Sequence, residues 1–192
     1  FLRKAELNWE NITNSNMIDK KINWNLIEPM NELIDYKSLI QSKVNLNEIV
    51  IVKLNGGLGT TMKCKGPKSI IKVKNDLSFL EIIINQVRFI NKKYNVNIPL
   101  LLMNSPSTNS DPIMNKIIKK NNDVEIIIVI QECFPRLLFN DKPVHFNDIS
   151  QNLCPSGTGT FFDTLTKSPI YFDLIKKNKK YLFISNSDNL NA

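Results

Sequence analysis

Six residues and the loop behind them constrain this chain more than any other feature. Ile49 to Leu54 reads Ile-Val-Ile-Val-Lys-Leu, β-branched and almost continuously apolar. That is the pattern of a strand buried on both faces of a parallel sheet. A glycine-rich segment follows at once: Leu54 to Ser69 is LNGGLGTTMKCKGPKS, with three glycines in four positions. Glycine lets the backbone turn sharply and lets a flat base or a phosphate approach the main chain. Consecutive backbone N–H groups in such a loop cradle anions, and Thr60, Lys65, Lys68 and Ser69 add side-chain donors. Two common nucleotide-binding patterns do not fit. A P-loop needs GK[ST] leading into a helix, but Pro67 separates Gly66 from Lys68 and a strand-like run follows. The GxGxxG fingerprint would start at Gly57 and Gly59 and places Met62 at its third glycine. Taken alone, the loop supports anion binding.

The rest of the chain alternates strands and helices. Ser69 to Val73 reads as a short strand. Ser78 to Tyr94 reads as a helix, with Leu80, Ile83, Ile84, Val87, Ile90 and Tyr94 at three- and four-residue spacing. Ser78 and Glu81 form a candidate capping box. Pro99 to Met103 is a further strand. Asp111 to Lys120 suits a helix with Ile113, Ile117 and Ile118 inward. Val124 to Ile130 is a strong strand, Tyr171 to Lys177 a helix and Tyr181 to Ser185 a last strand. The pattern predicts an α/β fold with a mainly parallel sheet and right-handed crossovers. Ligands bind such sheets outside the carboxyl ends of the strands. Polar motifs beginning at Asn55, Gln131 and Asn186 each follow a strand, so they are expected to share one site. Phe1 to Asn47 is polar and irregular, with scattered apolar anchors such as Trp9 and Trp24. It reads as an N-terminal arm with one or two short helices, leaving residues 48–192 as the nucleotide-binding part.

Composition narrows the alternatives. The 192 residues are 42% hydrophobic, enough for one sizeable core. Ile126 to Ile130 is strand length rather than membrane length, and no signal peptide is visible. Phe1 is not a Met, which suits a piece of a longer chain. The formal charge of +7 comes mostly from dispersed lysines, without the aromatic-interleaved patch of a nucleic-acid binder. Neither a nucleic-acid nor a membrane partner is expected. Cys64, Cys133 and Cys154 are odd in number and widely spaced, which suggests neither a disulfide framework nor a zinc site. A reduced, cytoplasmic setting follows. His145 is the only histidine and reads as a strand or loop residue rather than an acid–base catalyst. Asp163 reads as a helix-surface residue, and Cys64 as a small packing residue.

Beyond the loop, a set of motifs identifies a family. LNGGLGTTMKCKGPKS closely resembles the signature of eukaryotic-type UTP–glucose-1-phosphate uridylyltransferases. Phe1-Leu2 and Trp9-Glu10 look like the family's N-terminal segment, and Leu102-Met-Asn-Ser105 resembles its strand motif. Gln131 with Phe134-Pro-Arg136 matches a QxxYPR-like element, Pro155 to Gly159 resembles a PPGHG loop, and Phe183 to Leu190 matches an NSDNLGA-like element. The resemblance covers essentially the whole chain. It implies a Rossmann-like nucleotidyltransferase domain with a mixed, mostly parallel sheet flanked by helices.

The resemblance also implies roles. Leu54, Asn55, Gly56 and Gly57, with Gly59 and Thr60 beside them, would bind the uridine nucleotide. Lys68 would contact the UTP phosphates as the catalytic cation. Gln131 would hydrogen-bond the uracil edge and Gly157 would pack near the base. Thr158, Asn186, Ser187 and Asp188 would face the sugar nucleotide, with Asp188 anchoring Mg²⁺. The implied reaction makes UDP-glucose and pyrophosphate from UTP and glucose 1-phosphate. It needs positioning and positive charge rather than a nucleophilic side chain. Lys63, Ser156, Thr158, Thr160 and Asn191 stand where the family has Gly, Pro, His, Asp and Gly. A Thr hydroxyl still donates, but it is shorter and uncharged. These departures keep open a nucleotide binder with impaired turnover, alongside a uridylyltransferase for galactose 1-phosphate, N-acetylglucosamine 1-phosphate or another sugar phosphate. In the family the catalytic domain continues past the position of Ala192 with a sugar-site wall and a further catalytic lysine. The expectation for the 192 residues alone is weak UTP binding without turnover.

Overall fold

A computed structural model describes residues 45–59, 64, 66–139, 142–147 and 152–191. Most of the expected N-terminal arm, with its short helices, lies outside the described residues, as do Thr60, Lys63 and Lys65.

The apolar run after Glu48 forms β1 (Ile49–Asn55), one of the two inner strands of a four-stranded sheet. After the glycine loop come β2 (Lys72–Lys74) and β3 (Leu77–Ser78), a small antiparallel ribbon. Helix α1 (Phe79–Tyr94) leads to β4 (Leu100–Asn104). The short α2 (Pro106–Asn109) and α3 (Pro112–Lys120) lead to β5 (Ile126–Ile130). A second ribbon, β6 (Cys133–Pro135) with β7 (Leu153–Pro155), precedes α4 (Phe161–Thr166), α5 (Pro169–Lys176) and β8 (Tyr181–Asn186). The sheet order is β5-β4-β1-β8, with every pairing parallel. Among the described residues, antiparallel pairing occurs in the two ribbons and in two isolated bridges, Leu58 with Pro67 and Leu137 with Pro143.

Helices cover both faces. Val50, Val52, Leu101, Met103 and Val129 pack against Phe161, Leu165 and Leu174 of α4 and α5. Leu100 and Leu102 pack against Leu80, Ile83, Ile84 and Val87 of α1 and Met114 of α3. Alternate β4 residues thus serve opposite layers, which is why this strand reads as an unbroken apolar run. The chain builds β1, β4 and β5 outward in one direction and then returns to lay β8 on the other side of β1. That reversal makes a topological switch point between β1 and β8, where open α/β sheets form a crevice. Among the described residues no helix is long and apolar enough to cross a membrane.

Local signals explain the helix starts. Ser78 caps α1 and Glu81 reaches back to the Ser78 N–H, the expected capping box. That backbone N–H holds the Glu81 carboxyl below its ordinary pKa. Ser78→Ala is expected to cost about 1 kcal/mol in chemical denaturation. A depressed folded pKa stabilises above the unfolded value of ~4.3 and loses that contribution as pH falls through the lower folded value. The Ser78 hydroxyl also donates to Glu81 Oε2 at 2.8 Å and lowers the same pKa. Alanine removes that bond but keeps the backbone N–H, so the hydroxyl's part of the Ser78→Ala penalty should shrink in acid, which denaturation at neutral and acidic pH would measure.

Three expectations are corrected. Ser69 to Val73 is not one strand: Lys68–Ile70 is a 3₁₀ turn after Pro67, and the strand begins at Lys72. In α3, Ile113 is 56% exposed and Met114 is fully buried. Asp111 caps the helix and Pro112 starts it, so Met114, Ile117 and Ile118 share the inner stripe at i, i+3 and i+4. Helix α5 starts at Pro169, capped by Ser168, ahead of the expected Tyr171.

Candidate active site

All four parallel strands end on one edge, because the register sets Leu54 opposite both Met103 and Asn186, and Asn104 opposite Ile130. The three polar motifs therefore leave the sheet side by side. They enclose a cavity of about 510 Å³ lined by Leu54, Gly56, Gly57, Leu58, Lys68, Met103, Gln131, Arg136, Pro155, Gly157, Thr158, Asn186, Ser187 and Asp188.

The glycine loop reaches the cavity by folding back on itself. Leu58 bridges Pro67, the Gly59 N–H donates to the Gly66 carbonyl at 3.1 Å, and the Lys68 N–H donates to the Gly57 carbonyl at 3.1 Å. Lys68 is thereby delivered over Gly57 rather than thirteen residues along an extended chain from Asn55, a count read from the sequence. Its Nζ lies 3.8 Å from Asp188 Oδ2, joining the loop's cation to the carboxylate that follows β8. Both side chains are about one-third exposed, so the pair adds little to stability and stays open to a ligand.

Gln131 sits at the end of β5, 4% exposed, and its N–H donates to the Asn104 carbonyl at 2.8 Å. Its side-chain Oε1 is buried without a hydrogen-bond partner. The carboxamide occupies the notch beside Gly56: a Cβ on that glycine would lie 1.9 Å from Gln131 Nε2. A buried polar atom left unsatisfied is costly, and Gln131 is one of the residues that line the cavity.

The loop after β7 supplies the facing wall. Gly157 has φ 93°, a conformation that disfavours side chains, and the space where its Cβ would stand is open. Two of the departures from the family pattern meet here. Ser156 Oγ and Thr160 Oγ1 lie 2.6 Å apart, and Thr160 Oγ1 donates to the Gly157 carbonyl at 2.8 Å. The two hydroxyls brace the turn that presents Gly157 and Thr158.

Ten of the sequence-derived candidates line this cavity: Leu54, Gly56, Gly57, Lys68, Gln131, Gly157, Thr158, Asn186, Ser187 and Asp188. Asn55 does not. It is 1% exposed, and its side chain donates to Asn104 Oδ1 at 2.8 Å and to the Met114 sulfur at 3.2 Å. Strand alternation sends it toward the α1 and α3 layer, where it ties β1 to β4. Gly59 lies outside the lining too and serves the loop's internal hydrogen bonds. Leu58, Met103, Pro155 and Arg136 line the cavity although no site role was expected of them. Arg136 was legible as part of the Phe-Pro-Arg element; its Nε donates to the Leu153 carbonyl at 3.1 Å across the β6–β7 ribbon. His145 is exposed and outside the lining. Asp163 pairs with Lys167 at 2.6 Å on the surface of α4.

The comparisons with known proteins match nearly the whole chain. The family model for UTP–glucose-1-phosphate uridylyltransferase matches residues 6–192. A probable UTP–glucose-1-phosphate uridylyltransferase of Schizosaccharomyces pombe is 40% identical over 183 residues, covering 90% of this chain and 36% of the relative. The chain thus spans about a third of the length of that curated relative. The crystal structure of a UDP-glucose phosphorylase from Trypanosoma brucei aligns with a TM-score of 0.78 at 30% identity, over 98% of this chain and 42% of that one. A variant of the Leishmania major UDP-glucose pyrophosphorylase in complex with UDP-Glc shares the fold at a TM-score of 0.81 and 24% identity, over 98% of this chain and 41% of that one. A glycine loop, a cavity-lining lysine and an Asn-Ser-Asp turn on one parallel sheet edge, with a family match across nearly every residue, place this chain in the UTP–glucose-1-phosphate uridylyltransferase family.

Proposed function

We propose that the protein transfers a uridylyl group from UTP to glucose 1-phosphate, giving UDP-glucose and pyrophosphate. The observation that carries this reading is the buried, unpartnered Oε1 of Gln131 beside Gly56 in the cavity. A carboxamide presents one acceptor and two donors, and a uracil edge offers an N3–H between two carbonyls. Cytosine places an acceptor at N3, so Oε1 would meet a donor only at the 4-amino group, in a different register. Family membership supports the same reading, as does the Leishmania major relative crystallised with UDP-Glc.

In the reaction, an oxygen of glucose 1-phosphate attacks the α-phosphorus of UTP in line. The new P–O bond forms as the bond to the bridging oxygen breaks, and pyrophosphate leaves with that electron pair. Gly56 and Gly57 let the nucleotide approach the main chain. Lys68 offers a compact positive charge to the phosphates, and Arg136 adds a second cation to the lining. Asn186, Ser187 and Thr158 face the sugar nucleotide. The donor set suits Mg²⁺ brought in on the triphosphate. Asp188 is the one carboxylate in the cavity lining, and no cluster of three His, Cys, Asp or Glu residues forms among the described residues. One carboxylate with substrate phosphates and waters matches the coordination this ion prefers. When bound, it neutralises charge on the phosphates. A reduced, cytoplasmic setting suits the three cysteines, which form no disulfide.

A second reading, nucleotide binding without turnover, is favoured by Thr158 in the cavity wall. Pyrophosphate release by the full-length protein, measured with UTP or CTP and a panel of sugar 1-phosphates, decides between them. The expected result is release with UTP and glucose 1-phosphate, and little with CTP. Release with another sugar alone would move the assignment to that sugar. UTP binding with no release from any sugar would leave the binding reading in its place.

A further inference from the structure

Lys53 is the only charged residue among those described that is essentially withdrawn from solvent, at 2% exposure. It lies in the middle of β1, on the face otherwise built from Ile51, Leu100 and Leu102 against α1. Burial pushes its pKa down, as expected when an ammonium loses hydration. An aliphatic side chain of similar length would fill the space without that cost.

The ammonium's hydrogen bonds explain its presence. It donates to Ser185 Oγ at 2.7 Å and to the Asn189 carbonyl at 3.0 Å. Those two residues bracket Asn186, Ser187 and Asp188, the turn that enters the cavity. The β1–β8 register sets Lys53 directly opposite Ser185. The next residue of β1 continues the anchorage, since the Leu54 carbonyl accepts the Ser187 N–H at 3.2 Å. Gln86 of α1 holds the outgoing chain through the Leu190 carbonyl at 3.0 Å. A charged donor in a site of low polarity makes stronger hydrogen bonds than a neutral one, so Lys53 clamps both ends of the turn.

We propose that Lys53 is a positioning residue that sets the Asp188 carboxylate toward Lys68 and the substrate phosphates by fixing the Ser185–Asn189 turn. The Mg²⁺ consequence rests on the role given to Asp188 above; the anchoring itself does not.

The test uses full-length Lys53→Met, Ser185→Ala and Asp188→Asn. Amide hydrogen exchange at Ser187 and Asn189 is measured alongside the Mg²⁺ half-saturation of turnover and metal-free UTP affinity. Lys53→Met should speed exchange in the turn and raise the Mg²⁺ half-saturation about ten-fold, the usual cost of losing an outer support of a metal ligand. Metal-free UTP affinity, to which Gly56, Gln131 and Lys68 contribute without the metal, should hold to within a few-fold, well short of the ~10-fold Mg²⁺ effect. Ser185→Ala removes one acceptor with little loss of volume. It should shift exchange and Mg²⁺ dependence the same way by less, which keeps the test open if Lys53→Met does not fold. Unchanged exchange and unchanged Mg²⁺ dependence in Ser185→Ala and any folded Lys53→Met, while Asp188→Asn raises the Mg²⁺ requirement, would overturn the proposal. An equal loss of metal-free UTP affinity would also overturn it, because the effect would then be general. Should Asp188→Asn leave the Mg²⁺ requirement unchanged, the assignment of Asp188 falls and the Mg²⁺ consequence with it. Faster exchange in the Lys53 variant would still support the anchoring.

Discussion

Lys68→Ala in the full-length protein is expected to lower kcat by about 10² to 10³, the range for removing one preorganised group that stabilises transition-state charge, while the fold survives. The two halves of this expectation have separate causes. For the rate, Lys68 is held in place by its own backbone: its N–H donates to the Gly57 carbonyl, and the 3₁₀ turn after Pro67 fixes where the side chain leaves the chain. A cation placed in advance facing the transferring phosphoryl group loses no energy to reorganisation as charge builds. For stability, the side chain is about one-third exposed and its Asp188 contact is 3.8 Å long, so solvent already screens the pair. The thermal midpoint should therefore move little. Lys68→Arg should not restore the rate fully, because a planar fork replaces a compact charge. Steady-state kinetics together with a melting curve check both halves. Near-normal turnover in Lys68→Ala would remove Lys68 from the mechanism, and a collapsed melting transition would mark it as structural.

Gly56→Ala should raise the KM for UTP by about 10- to 100-fold, the cost of misplacing one buried hydrogen-bonding group, and should erode the preference for UTP over CTP. The added Cβ would sit 1.9 Å from Gln131 Nε2 and 3.0 Å from its Cδ, with the Ser105 backbone N at 3.5 Å behind. Gln131 is 4% exposed, so its carboxamide has little room to retreat and must turn Oε1 away from the base. Gly57→Ala is the informative comparison. A Cβ there would meet only Lys68 Cδ and Cε at 3.8 and 3.9 Å, ordinary contact distances. The protein itself accommodates that methyl group, so any loss in Gly57→Ala reports the ligand's close approach to the main chain. Nucleotide titrations with UTP and CTP separate the cases. Unchanged affinity and selectivity in Gly56→Ala would show that Gln131 does not read the base.

Much of the α/β frame was legible because its signals are local or continuous. The unbroken apolar run of β1 and the periodicity of α1 name their own environments, and a capping box spans only Ser78 and Glu81. Several of the elements that were missed lack such signals. The ribbons β2–β3 and β6–β7 are two or three residues per strand and exist only through pairing. Helix α4 is six residues long and has no side-chain cap. Its place is decided by Phe161 and Leu165 packing onto the sheet.

For the site, residue chemistry and motif order determined which groups could serve: a cation in the glycine loop, a carboxamide after one strand and a carboxylate after another. Tertiary structure decided which of them meet. The β1–β8 register sets Leu54 opposite Asn186, and the loop's fold-back sets Lys68 over Gly57. Together they bring Lys68 to Asp188, a contact between distant chain segments that no local pattern encodes. The β1–β4 register made Asn55 a buried tie between those strands, and the β1–β8 register gave Lys53 a turn to hold. Side chains alternate along a strand, so one position's shift exchanges a ligand-facing residue for a buried one. Only the assembled sheet specifies which side of that alternation faces the cavity.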